Sequence, residues 1–146
     1  VHHGNGTQAI FYNEPRVAYF STHESGIYPF TGSPYERGVG NVLNALLPPG
    51  TGGFRFRNVW LDSMLPALDA FRPQLLLISA GFDAHHLDPL GGLQLTDDDF
   101  AWITRELMAI AAATAQQRVV SVLEGGYSLE GLASGTAAHV RTLMQA

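Results

Sequence analysis

The 146-residue chain contains no cysteine and no lysine. Without cysteine there is no disulfide, no thiolate metal site and no cysteine nucleophile, so any metal must be held by His, Asp, Glu or backbone oxygen. Charge is sparse: Asp, Glu and Arg together make 14% of the chain, with 8 Arg against 13 acids and a net charge of −5. No basic stripe, basic tail or aromatic–arginine alternation is present, so nucleic acid and anionic membranes have no electrostatic foothold. The absence of lysine carries no functional reading by itself. Long apolar runs are missing too, since the longest, such as LLLISA at 75–80, cannot cross a bilayer. No charged-then-apolar leader opens the chain, which makes the cytoplasm the expected location. The opening VHHGNGTQ lacks Met and starts inside what reads as a loop, so a fragment of a longer protein is expected.

What is present suits one globular core: 46% of the residues are hydrophobic, with no internal repeat, low-complexity tract or long linker. The pattern alternates strands and helices. Residues 5–12 read as a short helix with Asn5 as its cap, 16–21 as a strand, and 22–39, rich in Gly, Pro and Ser, as a long loop. A short strand follows at 41–47, stopped by Pro48 and Pro49. Helical periodicity runs over 54–71 through Val59, Trp60, Met64, Leu65 and Leu68, with Pro66 expected to kink it. Leu75–Ala80 reads as a parallel strand covered on both faces. Thr96 caps a helix to about Ala115, with Asp97, Asp98 and Asp99 in its first turn. Val119–Leu123 is a further buried strand, and 129–144 a closing helix.

Strands separated by helices define an α/β protein with a mostly parallel sheet and flanking helices. Right-handed crossovers place the strand carboxyl ends along one edge, where ligands bind in open α/β sheets. That edge receives Ser21-Thr22-His23, Gly81-Phe82-Asp83 and Glu124-Gly125-Gly126-Tyr127.

Asp83 follows the small pair Ala80-Gly81, which lets the chain turn sharply. It reads equally as a metal ligand, its partly desolvated charge compensated by a cation, or as a carboxylate capping its loop. His2 is the natural nitrogen donor beside it. A catalytic zinc site usually has three protein ligands and an open water position, so a third ligand is expected outside this chain. Tyr127, swung over the sheet edge by Gly125 and Gly126, could donate a hydrogen bond to a developing oxyanion. By pattern alone a packing tyrosine is the commoner outcome. His3, His85 and His86 read as loop hydrogen-bonders and His139 as a helix residue. Adjacency alone does not make His85-His86 a proton relay, and Asp88 reads as shaping the turn that presents Leu90.

VHHGNGTQAIFY, STHESGIYPFTG, LISAGFDAHHLDPLGG and LEGGYSLEGLA, in that order, closely resemble the zinc-dependent histone deacetylase family, nearest to its bacterial members and class II-like amidohydrolases. The resemblance spans nearly the whole chain and implies an arginase/deacetylase-like three-layer α/β fold. Residues 1–146 would then be the C-terminal portion of one catalytic domain. It further implies hydrolysis of an acetyl-amide, on acetyl-lysine or an acetylpolyamine, with one catalytic Zn2+ and a structural K+. His2 matches the histidine of the family's D-x-H metal motif, and Asp83 its second metal-binding aspartate. Tyr127 matches the tyrosine that polarises the acetyl carbonyl, Ser21 and Thr22 the potassium ligands, and Tyr28, Leu90 and Gly126 the substrate-binding positions.

The family's tandem histidines lie upstream of the D-x-H motif and are neither His2-His3 nor His85-His86. With them absent, the isolated chain is expected to be inactive. Tyr28 stands where the family often has Phe. Several relatives form dimers or tetramers, so a homo-oligomer is an expected partner. A non-catalytic module that keeps the fold, and an arginase-like binuclear metallohydrolase, are the alternatives. The single GFDA aspartate and the EGGY segment favour the one-zinc enzyme.

Overall fold

The computed structural model describes residues 1–145. Its strands are β1 (Tyr19–Glu24), β2 (Val42–Leu47), β3 (Leu76–Ala80) and β4 (Val119–Leu123). Pairing is parallel throughout, with Tyr19 opposite Val42 in the first pair and Leu76 opposite Val119 in the second. Among the described residues the strands form two pairs, β1–β2 and β3–β4, whose carboxyl ends are drawn together by the first residues of the chain. The Glu24 N–H donates to the Val1 carbonyl at 2.9 Å, and the Phe82 N–H donates to the Gly125 carbonyl at 2.7 Å.

β1 starts three residues later than the sequence pattern predicts and runs on to Glu24, so Ser21–His23 lie inside the strand and Glu24 occupies its end. The delay has a local cause. The Asn41 amide nitrogen approaches the carbonyl oxygens of Phe11, Glu14 and Val17 at 2.8, 3.1 and 2.8 Å, which holds that segment in a turn. Arg16 meanwhile folds back onto the Glu14 carboxylate at 2.8 and 2.7 Å. Asn5 is the first residue of helix α1 (Asn5–Phe11) rather than its cap; Gly4 takes that position without a side-chain hydrogen bond.

The periodic stretch 54–71 is helical, but not a uniform α-helix. Helix α2 (Gly53–Val59) passes through a π-helical segment, Trp60–Met64, into α3 (Leu65–Phe71). Pro66 has no N–H to give to the preceding turn, and the widened turn falls just before it, with the Leu65 N–H reaching back to the Trp60 carbonyl. Helix α4 (Asp97–Thr114) starts at the expected Thr96 cap, which closes as a capping box: the Asp99 carboxylate accepts from the Thr96 N–H at 2.9 Å. Asp99 also receives the Arg57 guanidinium at 2.8 Å, which ties α2 to α4. Helix α5 (Leu129–Leu143) is capped by the Ser128 hydroxyl, which accepts from the Gly131 N–H at 3.2 Å.

The core gathers Leu47, Met64, Leu93, Leu95, Ala111 and Ala115, each at most 2% exposed. It sits between the α2–α3 helical stretch, α4 and the strands. Met64 is fully enclosed, so Met64→Ala should cost about 2–5 kcal/mol of stability. Equilibrium denaturation should show this as a lower midpoint at unchanged slope. β3 and β4, expected to be covered on both faces and buried, are instead partly open: Leu77, Val120, Val122 and Leu123 are exposed, an apolar strip beside the second strand pair.

Candidate active site

Asp83 is 1% exposed, just past the end of β3, and its carboxylate is the focus of the strand carboxyl ends. The Val1 backbone nitrogen lies 2.5 Å from its Oδ1, and His2 Nδ1 lies 3.0 Å from its Oδ2. Glycines enclose it. A Cβ on Gly81 would come within 2.9 Å of Oδ1, one on Gly125 would overlap Oδ2, and one on Gly91 would overlap the Asp83 carbonyl oxygen. The small residues after β3 and β4 thus do more than allow turns: they leave a slot the size of one carboxylate. Gly125→Ala should push Asp83 out of register with His2 and lower metal affinity of the whole protein about tenfold or more, as for loss of an orienting contact. Metal titration of the purified variant checks this; unchanged affinity would dismiss the steric reading.

His2 and Asp83 suit a divalent metal as two of its donors. One is an imidazole nitrogen, the other a buried carboxylate, and they stand side by side, within hydrogen-bond distance of each other at 3.0 Å. Among the described residues no group of three or more His, Cys, Asp or Glu converges, so the donor set from this chain stops at two. The His2 side chain is 37% exposed, and the Tyr28 ring meets it edge-on with centroids 6.5 Å apart. Tyr28 is itself exposed and stands at the mouth of the site.

Tyr127 and Leu90 are both exposed, and their backbones follow the small residues after β4 and β3. Gly126 has φ of +155°, a conformation open to glycine, and it turns the chain from β4 toward Tyr127. A Cβ there would press within 2.9 Å of Leu132. Both segments meet at Asp88. Its Oδ1 accepts from the Leu90 and Gly91 N–H groups at 2.9 and 3.0 Å, and its Oδ2 accepts from the Tyr127 N–H at 2.7 Å. The turn before Leu90 was legible in the sequence; the reach to Tyr127 was not.

Ser21 and Thr22 sit behind this edge on β1. The Ser21 hydroxyl lies 3.0 Å from His23 Nδ1, while the Thr22 hydroxyl accepts from the Trp60 indole N–H at 3.2 Å. The Thr22 side chain is therefore engaged with the indole of the α2–α3 helical stretch. Next to them, His3 bridges Thr31 and Gln8 at 2.7 and 2.9 Å, and its ring centroid lies 4.7 Å from that of His23.

Burial, with His3 beside it, lowers the His23 pKa to about 4. Burial also lowers that of His139, whose ring bridges Thr104 and Ser121 at 2.6 and 2.8 Å. Both groups bind protons more readily in the unfolded chain. The stabilising contribution of neutral His23 is complete above the ordinary imidazole value near 6.5 and is lost as pH falls from there toward 4, and that of His139 weakens in the same direction. Denaturant midpoints should therefore drop between pH 7 and pH 4.5, and His23→Gln should flatten part of that drop.

The remaining histidines separate. His85, expected in the loop or at its rim, is 2% exposed and stacks on Phe100 at 8° between ring planes. Its Nδ1 accepts from the Leu87 N–H, and its Nε2 lies 3.2 Å from Asp97 Oδ1. It is a packing residue of the α4–α5 side. His86 is exposed, with Nδ1 3.3 Å from the Leu95 carbonyl oxygen. Glu24, which the sequence reading left out, is buried at 6% exposure and accepts from the Gly92 N–H at 2.6 Å, joining β1 to the Asp83 loop.

Comparison with known proteins fits this arrangement. Residues 1–143 match the histone deacetylase domain, and the chain belongs to that family. It is 43% identical over 148 residues to the chloroplastic histone deacetylase 10 of Oryza sativa, covering 99% of this chain and 33% of the relative. It is 46% identical to a probable deacetylase of Archaeoglobus fulgidus (90% and 38%) and 43% identical to a histone deacetylase-like amidohydrolase of Pseudomonas aeruginosa (88% and 35%). Among solved structures, the HDA15 HD domain superposes with a TM-score of 0.90 at 33% identity over 99% of this chain and 42% of its own. The histone deacetylase Clr3 gives 0.91 at 32% identity, over 99% and 25%.

The α/β deacetylase fold expected from the sequence is the fold observed. The family is one of hydrolytic deacetylases and amidohydrolases and is generally metal-dependent. The chain spans about a third of the length of these curated relatives. Among the described residues no helix is long and apolar enough to cross a membrane.

Proposed function

We propose that this chain, residues 1–146, is the C-terminal portion of a single deacetylase catalytic domain, and that the whole protein hydrolyses an acetyl-amide to an amine and acetate. The observation that carries the reading is the pairing of His2 Nδ1 with the enclosed Asp83 carboxylate at 3.0 Å, in a chain whose residues 1–143 match the histone deacetylase domain. His2 and Asp83 would hold the catalytic Zn2+. A zinc ion bound there lowers the pKa of a coordinated water and polarises the acetyl oxygen.

The Tyr127 phenol donates a hydrogen bond to the oxygen that gains charge as the carbonyl carbon becomes tetrahedral. Tyr28 and Leu90 flank the acyl chain, and Gly126 keeps the backbone low enough for it to pass. The Ser21 hydroxyl and the backbone oxygens of Ser21's neighbours, Thr22 above all, suit a structural K+ behind the site. Acetylated lysine and acetylpolyamine are the substrate classes, as the names of the relatives suggest a deacetylase and an amidohydrolase.

The exposed apolar strip on β3 and β4 supports two further parts of the reading. It suits burial against other strands of the same domain, and in their absence it favours association, so the isolated chain should self-associate. With two donors from this chain, the isolated 146-residue protein should show no turnover. The test assays the whole protein and the isolated chain side by side on an acetyl-lysine peptide and an acetylpolyamine, before and after chelation and zinc return. Zinc-restored activity of the whole protein is the expected result. Chelator-insensitive hydrolysis, or none on either substrate, would overturn the proposal.

A further inference from the structure

Resting on the reading that Tyr127 supplies the oxyanion donor, we infer that Asp88 is a positioning residue that sets Tyr127 against the Asp83 loop through a carboxylate shared by two distant segments. The contacts are backbone contacts. Oδ1 closes the local turn by accepting from Leu90 and Gly91, and Oδ2 accepts from the N–H of Tyr127, 39 residues further along the chain, at 2.7 Å. Asp88 is 8% exposed, so these bonds replace water rather than compete with it. Burial pushes its carboxyl up, yet the N–H groups of Tyr127, Leu90, Gly91 and Ser128 outweigh that and hold it below the usual range.

Each end of the clasp leads to a residue of the proposed chemistry. Gly91 packs so closely on the Asp83 carbonyl oxygen that any side chain there would overlap it. The turn held by Oδ1 is therefore fixed relative to the metal-binding carboxylate. On the other side, Gly126 at φ +155° gives the Tyr127 segment conformational latitude. The Ser128 cap fixes only the start of α5. The bond to Oδ2 removes the remaining freedom, and its loss would let the phenol drift while leaving it chemically intact. A misplacement of about 1 Å costs on the order of a hundredfold in rate when geometry limits the step.

The test is a double-mutant cycle in the whole protein between Asp88→Asn and Tyr127→Phe, read as kcat and KM separately. The expected result is a loss of about tenfold or more in kcat for Asp88→Asn alone, with KM within about threefold. In the Tyr127→Phe background the same change should cost less than about twofold, because the group it positions is already gone. Should Asp88→Asn fail to fold, Asp88→Ser replaces it in the cycle: its hydroxyl can still close the local turn but cannot reach Tyr127. Equal fold losses in both backgrounds, or no loss in either, would overturn the proposal. Failure of the underlying reading shows differently, as an unchanged kcat for Tyr127→Phe alone, and that result also overturns it.

Discussion

Tyr127→Phe in the whole protein should lower kcat about a hundredfold or more while leaving KM within a few-fold. The substitution removes one oxygen from a side chain that is 55% exposed, so no core contact is lost and the folded state should be as stable as before. The backbone at this position is held by Asp88 and by the α5 cap, neither of which involves the phenol. What disappears is a donor aimed at charge that exists only during the reaction, and such a loss appears in kcat rather than in binding. Steady-state kinetics on an acetyl-lysine peptide, with a melting curve as the control, measure it. An unchanged kcat would remove Tyr127 from the mechanism.

Asp83→Asn should be nearly as damaging, and for a different reason. The new side chain has the same shape and fits the same glycine slot, but it offers a neutral amide where a cation needs an anion. Affinity of the whole protein for zinc should fall by at least about a hundredfold, since even loss of an outer-shell partner costs 10–100-fold. Activity should fall in parallel and return only partly at high zinc. Equilibrium dialysis at buffered free zinc reads the affinity directly. Full metal content at the wild-type free concentration would show that Asp83 is only a loop anchor.

Asp83 and Tyr127 stood out in the sequence because each follows a short apolar run and a glycine, which marks the carboxyl end of a parallel strand. The same signal placed β3 and β4 nearly to the residue, while the Thr96 cap and the acidic first turn placed α4. It misplaced β1, because the Asn41 amide that delays the strand is more than twenty residues away from the carbonyls it gathers. It passed over Glu24 as well, since a buried acid on a strand end has no local periodicity to betray it. The histidines misled in the other direction. His85 looks like a surface loop residue beside His86, and only the packing of Phe100 and Asp97 from α4 shows that it is inside. Asp88 lay between these cases: its local turn follows from spacing, while its bond to Tyr127 depends on how two loops meet in three dimensions.

The glycine slot around Asp83 also sets the terms on which this site can change. An aspartate and a glutamate carry the same charge and the same donor atoms, and many metal sites exchange one for the other. Here Gly81 and Gly125 already lie close against the two carboxylate oxygens, so a single added methylene would crowd them. Any drift at position 83 is confined to side chains no larger than the one present.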